Sequence, residues 1–244
     1  IDDVAPDLAV LAERSAIVAL ALPVDAIVDA LATVDALARP QLLFDVASVK
    51  GPVAAAGRRF PHFVGAHPLA GREVGGFAAA YAALFVGRTW VVTPGGEPAA
   101  RALLDELIET LGARTVELEA ATHDRLVAAT SHLPQVLSVV LGGRLADVGD
   151  ADARAYDLAG PGIASMLRLA RSPAPLWAAI ARANAGPLAA ELRVAAQALE
   201  TLAAELDRAE VDALTSYFAL AGRAVDELER RAARSPLPTD PISR

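Results

Sequence analysis

Short apolar runs alternate with stretches of helical periodicity over the first 119 residues, and from Ala120 onward only the helical periodicity continues. Runs at 16–22, 42–45, 63–66, 89–93 and 114–118 predict strands. Between them, amphipathic patterns predict helices at 24–38 and 97–111, with a shorter helix starting near Ser48. Strand and helix in alternation imply an α/β domain built on a mostly parallel sheet. The first strand is expected to follow directly on a turn at Asp2-Asp3. Helical patterns then fill 120–147, 161–171, 174–186 and 187–233, with a break expected inside the last. The chain therefore divides into an α/β domain at 1–119, an all-helical domain at 120–234 and a tail at 235–244. The three prolines of that tail make it read as disordered.

Two helical stretches carry more apolar surface than a single face needs. Leu126 to Gly143 has no charged residue but includes Ser131, His132, Pro134, Gln135 and Ser138, so it reads as a buried helix and not a membrane span. Over 187–233, Leu188, Leu192, Leu199, Leu202, Leu206, Leu214, Phe218 and Leu228 fall on more than one face. A helix apolar on several sides needs partners on several sides.

Composition narrows the function classes. A net charge of −8 without any basic run argues against a nucleic-acid partner. The absence of cysteine excludes disulfides, thiolate chemistry and zinc-cysteine sites. A cytoplasmic enzyme is the expectation. Lys50 is the only lysine in a chain whose other strong bases are all arginine.

Candidate chemistry gathers at one place. Ligands of open parallel sheets bind just beyond the carboxyl ends of the strands. Pro23, Ser48, Lys50 and His67 all follow expected strands in that way. Ser48 also suits the N-cap of the helix behind it. His67, before Pro68 and among small residues, offers an imidazole that takes up a proton near neutral pH. Lys50 is placed to attract anionic ligands and is assigned no chemical step.

Five segments, in order, resemble the prephenate/arogenate dehydrogenase family of tyrosine biosynthesis. They are Ala-Leu-Pro-Val (21–24), Asp-Val-Ala-Ser-Val-Lys (45–50), Gly-Ala-His-Pro-Leu-Ala-Gly-Arg-Glu (65–73), His-Asp-Arg-Leu-Val-Ala-Ala-Thr-Ser-His-Leu-Pro (123–134) and Met-Leu-Arg-Leu-Ala-Arg-Ser-Pro-Ala-Pro-Leu-Trp (166–177). The resemblance implies a Rossmann-like nicotinamide-binding domain and a helical domain that forms a homodimer. It implies NAD- or NADP-dependent oxidative decarboxylation of prephenate or arogenate. His67 then matches the catalytic histidine and Ser48 the serine beside the nicotinamide. Arg168, which the register set by Trp177 favours over Arg171, matches the anchor of a substrate carboxylate. His132 matches a histidine near the substrate side chain, and Glu73 is a candidate for substrate binding or gating. Leu22, Pro23 and Val24 would line the cofactor, and no metal is implied. His123 is expected to cap or pack, and His62 has no special claim.

Two departures qualify the match. The glycine-rich Gly-x-Gly-x-x-Gly turn that cradles a pyrophosphate is absent from these 244 residues. The chain is expected to lack the family's opening β-α-β segment, with a non-catalytic dimerising remnant as the alternative. Ile163-Ala164-Ser165 and Leu167-Arg168 stand where the family often has Phe-Arg-Asp before Thr-Arg. A 3-hydroxyacid-type dehydrogenase, which needs a lysine on its helical domain, is ruled out because no lysine follows Lys50.

Overall fold

A computed structural model of the chain describes residues 3–71, 80–208 and 211–234. Its contacts group the residues into two compact units, Ile1–Leu188 and Ala189–Arg244.

The first unit opens with a helix the apolar pattern did not announce, α1 (Leu8–Arg14). Asp7 caps it by accepting from the Val10 amide at 2.9 Å, and Ala12 is buried. An Asp three residues before a free amide is an ordinary N-cap signal, but one short apolar turn gives too little periodicity to stand out. The expected direct step from a turn into the first strand is thus corrected.

Next come β1 (Ile17–Leu20), α2 (Val24–Thr33), β2 (Leu42–Asp45), α3 (Gly51–Gly57), β3 (Phe63–Val64), β4 (Ala66–Pro68), β5 (Thr89–Val92), α4 (Pro98–Thr110) and β6 (Arg114–Glu117). β1, β2 and β3 pair in parallel, with Leu43 opposite Phe63 and Ala19 opposite Phe44. β4 then pairs antiparallel with β5, placing His67 opposite Val91, and β6 runs parallel to β5. The run 63–68 thus changes partner at Gly65, whose carbonyl accepts from the Thr93 amide at 2.8 Å. A Cβ at Gly65 would lie 2.5 Å from Thr93 Oγ1, so only glycine lets the two segments approach this closely.

Alternate residues of β2 serve two cores. Leu43 joins Val18, Leu20, Ile27, Leu31 and Phe63 beneath α1, α2 and α3. Leu42 and Phe44 join Val64, Trp90, Leu104 and Ile108 beneath α4. A strand covered on both faces reads as a continuous apolar run, as Leu-Leu-Phe does.

The same unit continues into α5 (Ala120–Val127), a π-helical turn at Ala128–His132, and α6 (Leu133–Ala151). Pro134 has no amide to donate to the carbonyl four residues back, which accounts for a wider turn here. By length and composition, Ala120–Ala151 is long and apolar enough to cross a membrane. The expected burial is not met within the chain, since Val139 and Val140 are 52% and 61% exposed. The positions it does bury on α6 include the polar Gln135 and Ser138. Three further helices follow, α7 (Arg154–Asp157), α8 (Pro161–Met166) and α9 (Ala174–Ala183). Ile180 of α9 is buried in the first core.

The second unit consists of most of α10 (Ala185–Arg208), then α11 (Val211–Ala219) and α12 (Gly222–Arg234), and the break expected inside 187–233 is present at Leu220–Ala221. Val194, Leu199, Leu206, Phe218 and Leu228 are exposed on it.

Gly57 sets the spacing of α3 on the sheet, because a Cβ there would meet the Phe63 ring at 2.2 Å. Gly57→Ala should therefore cost about 1–3 kcal/mol through overpacking. Urea midpoints at constant m check it, and adding Phe63→Leu should restore part of the loss.

Candidate active site

The carboxyl end of β2 meets the start of α3 and the start of β4 around a buried ion pair. Lys50 Nζ donates to Asp45 Oδ2 and, at 2.5 Å, to the Ala66 carbonyl. Asp45 accepts in addition from the Ala47 amide at 2.9 Å and from the Ala66 amide at 3.1 Å. Both side chains are fully buried. Burial pulls the Lys50 ammonium below its ordinary value, and the neighbouring carboxylates of Asp45 and Asp124 oppose that pull. Lys50 is therefore a structural clamp on Ala66 and not an exposed attractor of anions, which corrects the sequence expectation. Its tether places the next residue, His67.

Ser48 does not begin α3. The helix starts at Gly51 with Lys50 as the N-cap residue, and no side chain of its own segment caps it. The cap comes from α5. Asp124 Oδ1 accepts from the Lys50 amide and Oδ2 from the Gly51 amide, each at 2.7 Å. One carboxylate thus satisfies two free donors at a positive helix end.

The neighbour of that carboxylate completes a chain. His123 Nδ1 lies 2.8 Å from Asp124 Oδ1, and His123 Nε2 lies 2.8 Å from His67 Nδ1. The two imidazoles stand edge to face at 81°, with centroids 5.1 Å apart. Burial pushes the Asp124 carboxyl up, but the hydrogen bonds from His123 and from the two amides outweigh it and hold it low. His67 is half-buried and held well below its ordinary 6.5, first by burial and then by His123, Lys50 and His132. Its imidazole is thus held neutral at physiological pH.

His132 closes the π turn and is buried. Asn184 Nδ2 donates to the Asp124 carbonyl at 2.8 Å and to His132 Nδ1 at 3.1 Å. An amide nitrogen only donates, so His132 Nδ1 accepts and its proton sits on Nε2. Trp177 packs edge-on against the ring at 5.8 Å. Burial lowers His132 to about 4, only partly offset by Asp124.

One turn along α6, Gln135 Nε2 donates to the Leu169 carbonyl at 2.8 Å and Ser138 Oγ to the Met166 carbonyl at 2.7 Å. Ser138 also accepts from the Ala170 amide at 3.0 Å. Those bonds hold the backbone on both sides of Arg168, whose side chain is exposed. Arg168 is thereby fixed beside the helix that carries His132.

Leu22 and Pro23 are exposed past the end of β1 and Ser48 is half-buried past the end of β2. Val24 is packed in the core, so only its backbone faces that edge. Glu73 lies outside the described residues. His62 is structural, its Nε2 lying 2.7 Å from the Leu37 carbonyl. Among the described residues no group of metal-binding side chains occurs.

Asp45, Asp124 and Asn184 were not singled out from the sequence, and His123, expected to cap or pack, instead bridges Asp124 and His67. The His123-Asp124 pair was in view as part of a motif, but its reach across 56 residues to His67 is a property of the packed chain.

Lys50→Met should leave Asp45 buried without its partner and cost about 3–5 kcal/mol in denaturant midpoints. Adding Asp45→Asn removes the stranded charge and should recover part of it. For His132, proton NMR should show a titration midpoint near 4. Unfolded His132 takes up a proton between pH 6.5 and about 4 while the folded group does not, so stability falls as pH drops through that window. The slope from this one group is at most about 1.4 kcal/mol per pH unit.

Residues 1–117 match the family described as prephenate dehydrogenase, nucleotide-binding domain, and residues 119–220 match prephenate dehydrogenase, dimerization domain. The chain is 35% identical over 188 residues to the probable prephenate dehydrogenase NovF of Streptomyces niveus, covering 72% of this chain and 51% of NovF. It thus spans about half the length of that curated relative. The arogenate dehydrogenase of Synechocystis superposes with a TM-score of 0.77 at 27% identity, over 92% of this chain and 82% of that one. The prephenate dehydrogenase of Aquifex aeolicus, solved with hydroxyphenyl propionate and NAD+, shares the fold at a TM-score of 0.86 and 22% identity, over 93% and 82%. With two consecutive domains matched in order, the chain belongs to the prephenate dehydrogenase family.

Proposed function

We propose that the protein carries out the oxidative decarboxylation of prephenate to 4-hydroxyphenylpyruvate with NAD. The observation that carries this reading is His67, a half-buried neutral imidazole at the sheet edge, with Nδ1 engaged and Nε2 making no hydrogen bond among the described residues. A base of that kind suits the ring hydroxyl of the substrate. Its Nε2 takes the hydroxyl proton as the ring carbon is oxidised. Carbon dioxide leaves with cleavage of its bond to the ring, the electrons of that bond complete the aromatic system, and the proton returns to the phenol oxygen. The hydroxyl proton is thus borrowed and given back. When bound, NAD supplies the acceptor for the hydride.

The remaining residues bind and orient. Ser48 would stand beside the nicotinamide, and Leu22, Pro23 and Val24 would line the cofactor. The exposed guanidinium of Arg168 pairs with a substrate carboxylate, for which its planar fork is suited. His132, with its proton on Nε2, donates towards the substrate side chain, and Glu73 is assigned substrate binding or gating from its motif alone. In this reading 1–119 forms the nucleotide-binding domain and 120–234 the substrate and dimerisation domain.

A homodimer in the cytoplasm fits the same reading. The exposed apolar side chains of α6, and in the second unit those of α10 to α12, need a cover, and a second copy supplies it symmetrically.

Nicotinamide reduction with prephenate and NAD tests the proposal, with arogenate and NADP as the comparison arms. His67→Asn should lower kcat about 10²–10⁴-fold with KM little changed. Absence of reduction by folded protein with every substrate and cofactor pair would overturn the reading.

A further inference from the structure

We propose that His123 and Asp124 are positioning residues that set the proton on Nδ1 of His67 and so leave its Nε2 lone pair as the base, an inference that rests on the dehydrogenase reading for its catalytic meaning. The argument starts at the far end of the chain of contacts. Asp124 already accepts the Lys50 and Gly51 amides, each at 2.7 Å, and an ionised carboxylate has no proton to give. The nitrogen 2.8 Å from its Oδ1, His123 Nδ1, therefore carries the hydrogen. With that hydrogen on Nδ1, the lone pair of His123 lies on Nε2. Across the 2.8 Å contact that lone pair accepts from His67 Nδ1–H. Each bond leaves one choice to the next, and the last choice is the tautomer of His67.

The same chain supplies what a base of low proton affinity needs. His67 faces His123 from α5, the ammonium of Lys50 at the start of α3, and His132 from the π turn, all of which disfavour a second positive charge. Asp45 neutralises Lys50 locally. When Nε2 takes the hydroxyl proton, the imidazolium donates from Nδ1 to His123, and Asp124 lies one imidazole further on as the counter-charge. Asp124 also caps α3, which follows Ser48, so one carboxylate links the base to the cofactor edge.

The test uses Asp124→Asn and His123→Gln in the otherwise intact protein. An asparagine has one acceptor oxygen where the carboxylate has two. With its oxygen on the Gly51 amide, its nitrogen takes the place of Oδ1, donates to His123 Nδ1 and reverses the proton order down to His67. Nitrogen-15 NMR of the histidines should place the His67 proton on Nδ1 in the wild type and shift it towards Nε2 in Asp124→Asn. His123→Gln leaves the α3 cap in place, and it should lower kcat for prephenate about 10–100-fold with KM within about threefold. A wild-type His67 protonated on Nε2, or His123→Gln with wild-type kcat, would overturn the proposal. The NMR result stands without turnover, so failure of the dehydrogenase reading and failure of this chain give different outcomes.

Discussion

A single buried ion pair fixes the geometry on which the site depends. Lys50 and Asp45 hold both backbone groups of Ala66 between them, one donating to its carbonyl and the other accepting from its amide. The end of β2, the start of α3 and the start of β4 are thereby locked at one point, and His67 is one bond further on. Such a pair is costly to desolvate, and its net contribution to stability is small beside the cost of breaking it. Its value lies in specificity of position. A methylene-only core could bring the three segments together, but it would not dictate where the backbone of residue 66 sits.

A second carboxylate extends this order into the helices after the sheet. Asp124 satisfies the start of α3 from α5, and Asn184, just beyond α9, reaches back to the Asp124 carbonyl and to His132. The segments around 45–50, 66–67, 123–132 and 177–184 are therefore joined by buried polar bonds as well as apolar packing. Asp45, Lys50, Asp124 and Asn184 are paired within this network, and such pairing rigidifies a fold, while the Nε2 of His67 makes no hydrogen bond among the described residues. His67 and His132 are held below the ordinary imidazole value chiefly by lost hydration.

Much of the architecture was legible from pattern. β1, β2, β3, β5 and β6 lie where apolar runs predicted strands, most plainly β2, which is buried at every position and so apolar on both faces, whereas β4 runs on past the predicted 63–66. The loss of strand signals after residue 119 marks the passage to helices. α1 escaped because seven residues hold too little periodicity, and the apolar surface of α6 was read as buried where the single chain leaves Val139 and Val140 exposed. Periodicity reports that a face will be covered and says nothing of which molecule covers it.

The sequence alone determined the order and type of elements, the residue types available for chemistry and the family to which their motifs point. Those follow from local steric and hydrophobic preferences and from short-range motifs. The tertiary structure decided which of those residues meet. It turned Lys50 from an apparent anion attractor into an internal clamp, and it moved the cap of α3 from Ser48 to a carboxylate 73 residues away. It also joined His67 to His123, because hydrogen bonds of about 3 Å between buried groups depend on the packing of whole elements, which no local pattern encodes.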